Sequence, residues 1–297
     1  MVVAFRGSPL MRILHLDAGR EMRGGQFQVL RLIEGLASAG IESTLLARAD
    51  GALFGAVRKL GFRVEPLGLT RALANLRAHD LIHAHDARSH SLGLFLRGKP
   101  LVVSRRVSFP VGSRWKYGRA GRYLAVSEFV KGVLVRGGVD PEKISVVYDG
   151  VPPMDPAHGQ AVLLLHKGAH FAGEVAQRAG VTIKLVSRLE DDLRDAALLV
   201  YITDSEGLGS GALLAMSAAV PVIASRIGGL PEVIRHGENG LLVDNDPTAF
   251  ASAVRELIDD PERRRRIGAA ARHTVMERFT VERMVRHTME AYRQVHQ

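Results

Sequence analysis

The stretch Ser205-Glu206-Gly207-Leu208-Gly209-Ser210-Gly211, running on into Ala212-Leu213-Leu214-Ala215-Met216, decides how this chain is read. It lies between an apolar run, Leu198 to Thr203, and a stretch of small helix-forming residues. That order predicts a strand, a tight turn and a helix. Glycine permits such a turn and close packing around it. The first N–H groups of a helix have no intrahelical partner, and the helix dipole adds positive potential there. Gly207, Gly209, Ser210 and Gly211 are therefore candidates for holding a phosphate. Glu206, at the same turn, has little structural purpose and is suited to gripping sugar hydroxyls.

Outward from the turn, the same alternation covers the chain. Strand-like runs are expected at 11–17, 42–47, 63–67, 81–85, 101–105, 123–126 and 144–147, with helical stretches such as 25–38 and 128–136 between them. Asp149-Gly150-Val151-Pro152-Pro153-Met154-Asp155-Pro156 reads as a linker. Beyond it, strands are expected at 161–165, 182–186, 198–203, 221–224 and 240–243, and helices near 248–258, 261–279 and 281–295. Regular alternation predicts an α/β protein with parallel sheets covered by helices on both faces. The expected organisation is two Rossmann-like doubly wound domains, 1–150 and 151–297, the second ending in helices. In such sheets ligands bind beyond the carboxyl ends of the strands.

The 297 residues are 46 % apolar and 24 % charged, the make-up of an ordinary globular protein. There is no cysteine, so disulfide and thiolate chemistry are excluded. No apolar run suggests a signal peptide or a membrane span, and the expected location is cytoplasmic. The net charge of +9 is uneven: residues 1–150 carry 23 Lys and Arg against 12 Asp and Glu, whereas the remainder carries 17 against 19. Arg105, Arg106, Arg114, Lys116, Arg119 and Arg122 occur with no acid among them, interleaved with Phe109, Trp115 and Tyr117. Arg105, Arg106, Arg114, Trp115, Lys116 and Arg119 are candidates for contacting a phosphorylated acceptor or an anionic membrane surface at the inner face of the membrane. Nucleic acid is the weaker rival partner, and a solvated basic face is the plain structural reading.

Several segments in order resemble the retaining family-4 glycosyltransferases. They are Met11-Arg12-Ile13-Leu14-His15 followed by Gly24-Gly25, Leu81-Ile82-His83-Ala84-His85-Asp86, Tyr123-Leu124-Ala125-Val126-Ser127-Glu128 and Ile144 to Val151. The glycine turn, Pro221-Val222-Ile223-Ala224-Ser225, Gly228-Gly229-Leu230-Pro231-Glu232 and Gly237 to Val243 complete the set. The resemblance implies a GT-B fold, two facing Rossmann-like domains. It implies a nucleotide-sugar donor on the second domain and an acceptor, a glycan or lipid-linked glycan, on the first. Glu206 and His85 would contact the transferred sugar, and Gly24 and Gly25 would lie by the donor diphosphate or the acceptor. No metal and no cofactor is expected, the nucleotide-sugar being a substrate.

This sequence departs from the family pattern in two places. The family's second Glu, which holds the ribose, falls on Leu214, and an apolar side chain accepts no hydrogen bond. The family's first strand-helix unit of the second domain is missing, and with it an Arg and a Lys that neutralise the diphosphate; Lys167 and Arg188 are the candidate substitutes. Asp149 stands where the family usually has Asn. These departures motivate a rival reading, a non-catalytic relative that binds without transferring. His83 is expected on the face of its strand opposite His85, so that the two do not share a role. With no partner at zinc-ligand spacing on a helix, neither is expected to bind metal. Glu232 reads as a helix-start residue.

Overall fold

The computed structural model describes residues 11–167 and 171–296. The chain divides into two compact units, Met1–Tyr148 with Val281–Gln297, and Asp149–Thr280.

The first unit runs β1 (Arg12–Asp17), α1 (Gly24–Ser38), β2 (Glu42–Ala47), α2 (Ala52–Lys59), β3 (Arg63–Pro66), α3 (Leu69–Leu76), β4 (Leu81–Ala84), α4 (Ala87–Gly93), β5 (Leu101–Arg105), α5 (Arg114–Tyr117), β6 (Arg122–Ala125), α6 (Glu128–Arg136) and β7 (Ile144–Val146). Its seven strands are parallel, in the order β3-β2-β1-β4-β5-β6-β7. The order reverses between β1 and β4, and the crevice at such a reversal is where doubly wound sheets take ligands. Some helix starts carry the side-chain caps that such positions favour. The Asp86 carboxylate accepts from the Arg88 and Ser89 N–H groups at 2.8 and 3.1 Å to cap α4. Ser127 Oγ accepts from the Val130 N–H at 3.1 Å to cap α6.

The second unit runs β8 (Ala161–Lys167), α7 (Ala172–Ala179), β9 (Ile183–Leu185), α8 (Leu189–Asp192), β10 (Ala196–Thr203), α9 (Ser210–Ser217), β11 (Val222–Ser225), α10 (Leu230–Val233), β12 (Leu241–Val243), α11 (Pro247–Asp259) and α12 (Pro261–Arg278). Its five parallel strands lie in the order β12-β11-β10-β8-β9, reversing between β8 and β10. All eight residues of β10 are buried, as a central strand covered on both faces requires. Val162, Leu198, Val200 and Ile202 pack there with Phe250, Val254 and Leu257 of α11.

The twelve strands match those expected, but the end of the chain does not follow the expected division. The last helix, α13 (Val281–His296), belongs to the first unit and not to the second. Its apolar stripe, Met284, Val285, Met289 and Tyr292, joins the core formed by Leu32, Leu36, Leu81, Val102 and Leu124. Gly35 lets α1 and α13 approach, since a Cβ there would lie 2.4 Å from Val285 Cγ2. Among the described residues, no helix is long and apolar enough to cross a membrane.

Candidate functional site

The glycine turn leaves the carboxyl end of β10, beside the reversal point of the second sheet. Gly209 has φ +107°, a left-handed conformation that favours glycine, and heads α9 as an N-cap with no side chain to offer. Two glycines of the following loop close against the turn. A Cβ on Gly228 would lie 1.9 Å from the Glu206 carbonyl oxygen, and one on Gly229 would lie 2.1 Å from that of Gly207. The turn and the Gly228-Gly229 loop thus touch backbone to backbone, and any side chain would part them.

Glu206 is half-buried and held from two sides. Its Oε2 accepts a short hydrogen bond from the Tyr201 hydroxyl, and its Oε1 accepts from the Gly207 N–H at 3.0 Å. Tyr201 is fully buried in β10, and burial pushes its phenol well above the ordinary range, with the Glu206 charge adding to the effect. Tyr201 therefore stays a neutral donor to a fixed carboxylate. It was not expected as a site residue, although one tyrosine in the aliphatic run Leu198-Leu199-Val200-Tyr201-Ile202 was the available signal.

The other residues of this unit divide. Ser210 Oγ donates to Asp149 Oδ2 at 2.8 Å, which sets a buried carboxylate beside the start of α9. Leu214 is 5 % exposed within a helix buried all round, so the position carries no polar group toward a ligand. Leu189 lies 3.4 Å from where a Cβ of Gly211 would be, which brings the start of α8 beside the turn. Arg188, at that start, is exposed, and its guanidinium pairs with Asp191 at 3.1 Å. Lys167 closes β8 opposite Thr203 of β10, and its side chain lies outside the described residues.

In the first unit, the expectation that His83 and His85 face apart is wrong. Residues two apart share one face of an extended strand, and these two rings lie 3.9 Å apart, centroid to centroid. His15 of β1, paired in register with His83, joins them. His15 Nδ1 is 2.9 Å from His85 Nε2, and His15 Nε2 is 3.3 Å from Ser43 Oγ. His83 is engaged on both nitrogens, by the Tyr292 hydroxyl at 2.7 Å and Ser104 Oγ at 2.8 Å. Burial drives His15 down to about 3 and His83 and His85 well below the usual imidazole value, with their mutual repulsion and Arg106 adding for the latter two. All three are neutral at physiological pH.

Nitrogens of the three rings gather within 4.8 Å of one another, a cluster that spacing along one helix could not reveal. Zinc–nitrogen bonds of about 2.0–2.1 Å in a tetrahedral site would separate ligand nitrogens by roughly 3.3 Å. The 2.9 Å His15–His85 separation is instead a hydrogen bond, and His83 has both nitrogens occupied. The cluster fits a hydrogen-bonded neutral chain better than a metal cage.

Gly24 and Gly25 begin α1, beyond the end of β1 at the reversal of the first sheet. A Cβ on Gly25 would stand 4.0 Å from Arg106 Cδ, placing Arg106 by that helix start. The basic segment does not act as one surface. Arg105 is buried and donates to the Tyr117 hydroxyl at 2.6 Å and to the Phe109 carbonyl, which folds the loop back on itself. Lys116 donates to Ser91 Oγ at 2.8 Å and to the Ala87 carbonyl, tying α5 to α4. Arg114, Trp115 and Arg119 remain exposed, with the Arg119 guanidinium 4.0 Å over the Trp115 ring.

Two family models match this geometry's sequence: Glycosyltransferase Family 4 over residues 22–154 and Glycosyl transferases group 1 over residues 181–274. The chain is 38 % identical over 115 residues to alpha-maltose-1-phosphate synthase of Mycolicibacterium smegmatis, covering 36 % of this chain and 30 % of that one. It is 39 % identical over 89 residues to N-acetyl-alpha-D-glucosaminyl L-malate synthase of Bacillus anthracis, covering 30 % of this chain and 23 % of that one. The chain thus spans less than a third of the length of these two relatives. Among solved structures, Anabaena HepE in complex with UDP matches with TM-score 0.81 at 16 % identity, over 95 % of this chain and 100 % of that one. Sucrose-phosphate synthase from Thermosynechococcus elongatus matches with TM-score 0.74 at 19 % identity, over 96 % and 99 %. These likenesses show two parallel-sheet α/β domains of GT-B type. With both family models in sequence order on that fold, the chain belongs to the family-4 glycosyltransferases.

Proposed function

We propose that the chain is a retaining glycosyltransferase that moves a sugar from a nucleotide-sugar to a glycan or lipid-linked acceptor, without a metal. The observation that carries this reading is Glu206, a carboxylate locked by Tyr201 and the Gly207 N–H, next to a helix start whose N-cap is a glycine. A fixed acceptor for sugar hydroxyls and the first N–H groups of a helix for phosphate are the two halves of a sugar-diphosphate site. HepE's complexes with UDP and with UDP-glucose support a nucleotide-sugar as the donor. Gly209, Ser210 and Gly211 would meet the diphosphate, with Lys167 and Arg188 as the proposed cations. In the first unit, His85 would contact the sugar, and Gly24 and Gly25 would take an anionic group of donor or acceptor. The reaction would rest on positioning and on stabilising the leaving diphosphate, with no side-chain nucleophile.

The acceptor is proposed to carry a phosphate or to lie at an anionic membrane on the cytoplasmic side, met by Arg106 and the exposed Arg114, Trp115 and Arg119. D-inositol 3-phosphate and L-malate in the names of relatives are anionic and fit the basic first unit. Titration of UDP-, GDP- and ADP-sugars, followed by thermal shift, tests the donor half. A ligand that binds only the folded state must raise its melting temperature. No shift and no binding at millimolar concentration would sink the reading. Binding without donor hydrolysis would favour the non-catalytic alternative that Leu214 suggests. Hydrolysis that disappears in Glu206→Ala supports the enzyme.

A further inference from the structure

β1, β2 and the end of β4 bring Ser43, His15 and His85 into one hydrogen-bonded line. Ser43 Oγ meets His15 Nε2 at 3.3 Å, and His15 Nδ1 meets His85 Nε2 at 2.9 Å. The far nitrogen, His85 Nδ1, is buried and has no hydrogen-bond partner among the described residues. His83 cannot take it, because Tyr292 and Ser104 hold both of its nitrogens.

A neutral imidazole has one N–H and one lone pair. The bonds of the line must therefore all run in the same sense. In one sense, Ser43 donates to His15, His15 Nδ1–H donates to His85 Nε2, and His85 keeps a buried Nδ1–H with no acceptor. In the other, His85 Nε2–H donates to His15 Nδ1, His15 Nε2–H donates to Ser43 Oγ, and His85 Nδ1 is a bare lone pair. Orphaned buried N–H groups are rarer than under-used acceptors. The second sense is favoured.

We propose that His15 is a positioning residue, which through Ser43 fixes His85 as its Nε2–H tautomer and presents His85 Nδ1 as an acceptor for a hydroxyl of the bound sugar. This rests on reading His85 as a sugar contact. The line selects a ligand that donates at that point: a sugar hydroxyl fits, and a carbonyl or ether oxygen does not. His15 itself touches no substrate.

The test uses the full chain labelled with 15N histidine and long-range 1H–15N correlation spectra, with His85 signals identified by their loss in His85→Gln. The wild type is expected to show a protonated Nε2 and a bare Nδ1 on His85. His15→Phe keeps a ring but removes the acceptor, and His85 should become a mixture of tautomers. His15→Asn, whose amide stands near the lost Nδ1, should restore the single form. Ser43→Ala should loosen it in a protein with an unaltered core, and carries the same decision if His15→Phe fails to fold. Donor hydrolysis, assayed with UDP-glucose, GDP-mannose and ADP-glucose, should fall roughly tenfold in His15→Phe and recover in His15→Asn, as loss of one directed hydrogen bond predicts. A proton on His85 Nδ1 in the wild type, or a tautomer unchanged across the His15 and Ser43 variants, overturns the proposal. A wild type that neither binds nor hydrolyses any of the donors overturns the functional reading, and the spectra still decide the line.

Discussion

Glu206 shows how much a single partner can matter. A carboxylate on a loop gains little by itself, but Tyr201 holds one oxygen and the Gly207 N–H the other. Tyr201→Phe removes only a hydroxyl from a buried ring. It should cost about 1–2 kcal/mol of stability, while donor hydrolysis drops roughly tenfold because the carboxylate is no longer fixed. Unchanged hydrolysis in a folded Tyr201→Phe would show that Glu206 needs no such anchor. Leu214 gives the complementary prediction. Leu214→Glu places a carboxylate in a position only 5 % exposed, so the free protein should melt lower. Bound UDP would supply ribose hydroxyls as partners and recover much of that loss. The check is the UDP-induced rise in melting temperature, which should be larger in Leu214→Glu than in the wild type. An equal rise in both would mean that no ribose reaches this helix. Much of the residue scale was legible: the turn and His85 stand out by residue type. His15 was not, because its partners Ser43 and His85 are far away in sequence, and the roles of Tyr201 and Arg105 appear only once the turn and the loop beside them fold back onto these side chains. The His83–His85 relation was legible in principle, since residues two apart in a strand share a face.

At the scale of elements, period and punctuation carried the strands, and the glycines carried the joints. Parallel strands buried on both faces are short apolar runs, and this chain has little else that resembles them. What pattern could not supply was the partner of an element. The stripe Met284, Val285, Met289 and Tyr292 announces an amphipathic helix but does not say which sheet covers it. Gly35, unremarkable in sequence, accommodates Val285 and so belongs to the answer. Gly35→Ala should destabilise the first unit by about 1–3 kcal/mol through overpacking. Gly228→Ala should do more in the second unit, because φ is +62° and the added Cβ would meet the backbone oxygen of Glu206, which cannot swing aside as a side chain does. Its unfolding midpoint in urea should fall well below that of Gly35→Ala, and its donor binding should fall with it. Equal midpoints for the two variants would mean that the Gly228-Gly229 loop yields easily and does not shape the turn.

For the whole molecule, the two units differ most in how they bury histidine. His15, His79, His83, His85, His90 and His287 are all lowered from the ordinary imidazole value, chiefly by burial, and all six lie in the first unit. His15 is lowered to about 3 and His90 to about 4. Arg106 beside His83 and His85, and Lys116 and Arg105 beside His90, oppose protonation further. Each group binds its proton more weakly when folded than when unfolded. Its contribution is therefore whole above the unfolded value near 6.5, and is lost as pH falls toward the folded value. Each proton taken up in excess by the unfolded chain removes about 1.4 kcal/mol per pH unit. In the second unit, Asp192 is held down to about 2, chiefly by Lys184, so what it contributes is lost only below the ordinary aspartate range. Between pH 6.5 and 4 the first unit should lose stability steeply while the second changes little. Hydrogen exchange at pH 7, 5.5 and 4.5, corrected for intrinsic rates, reads this directly. Peptides covering β1 and β4 should lose protection before those covering β10 and α9. Protection lost first in the second unit, or in both together, would show that the buried histidines do not govern acid stability.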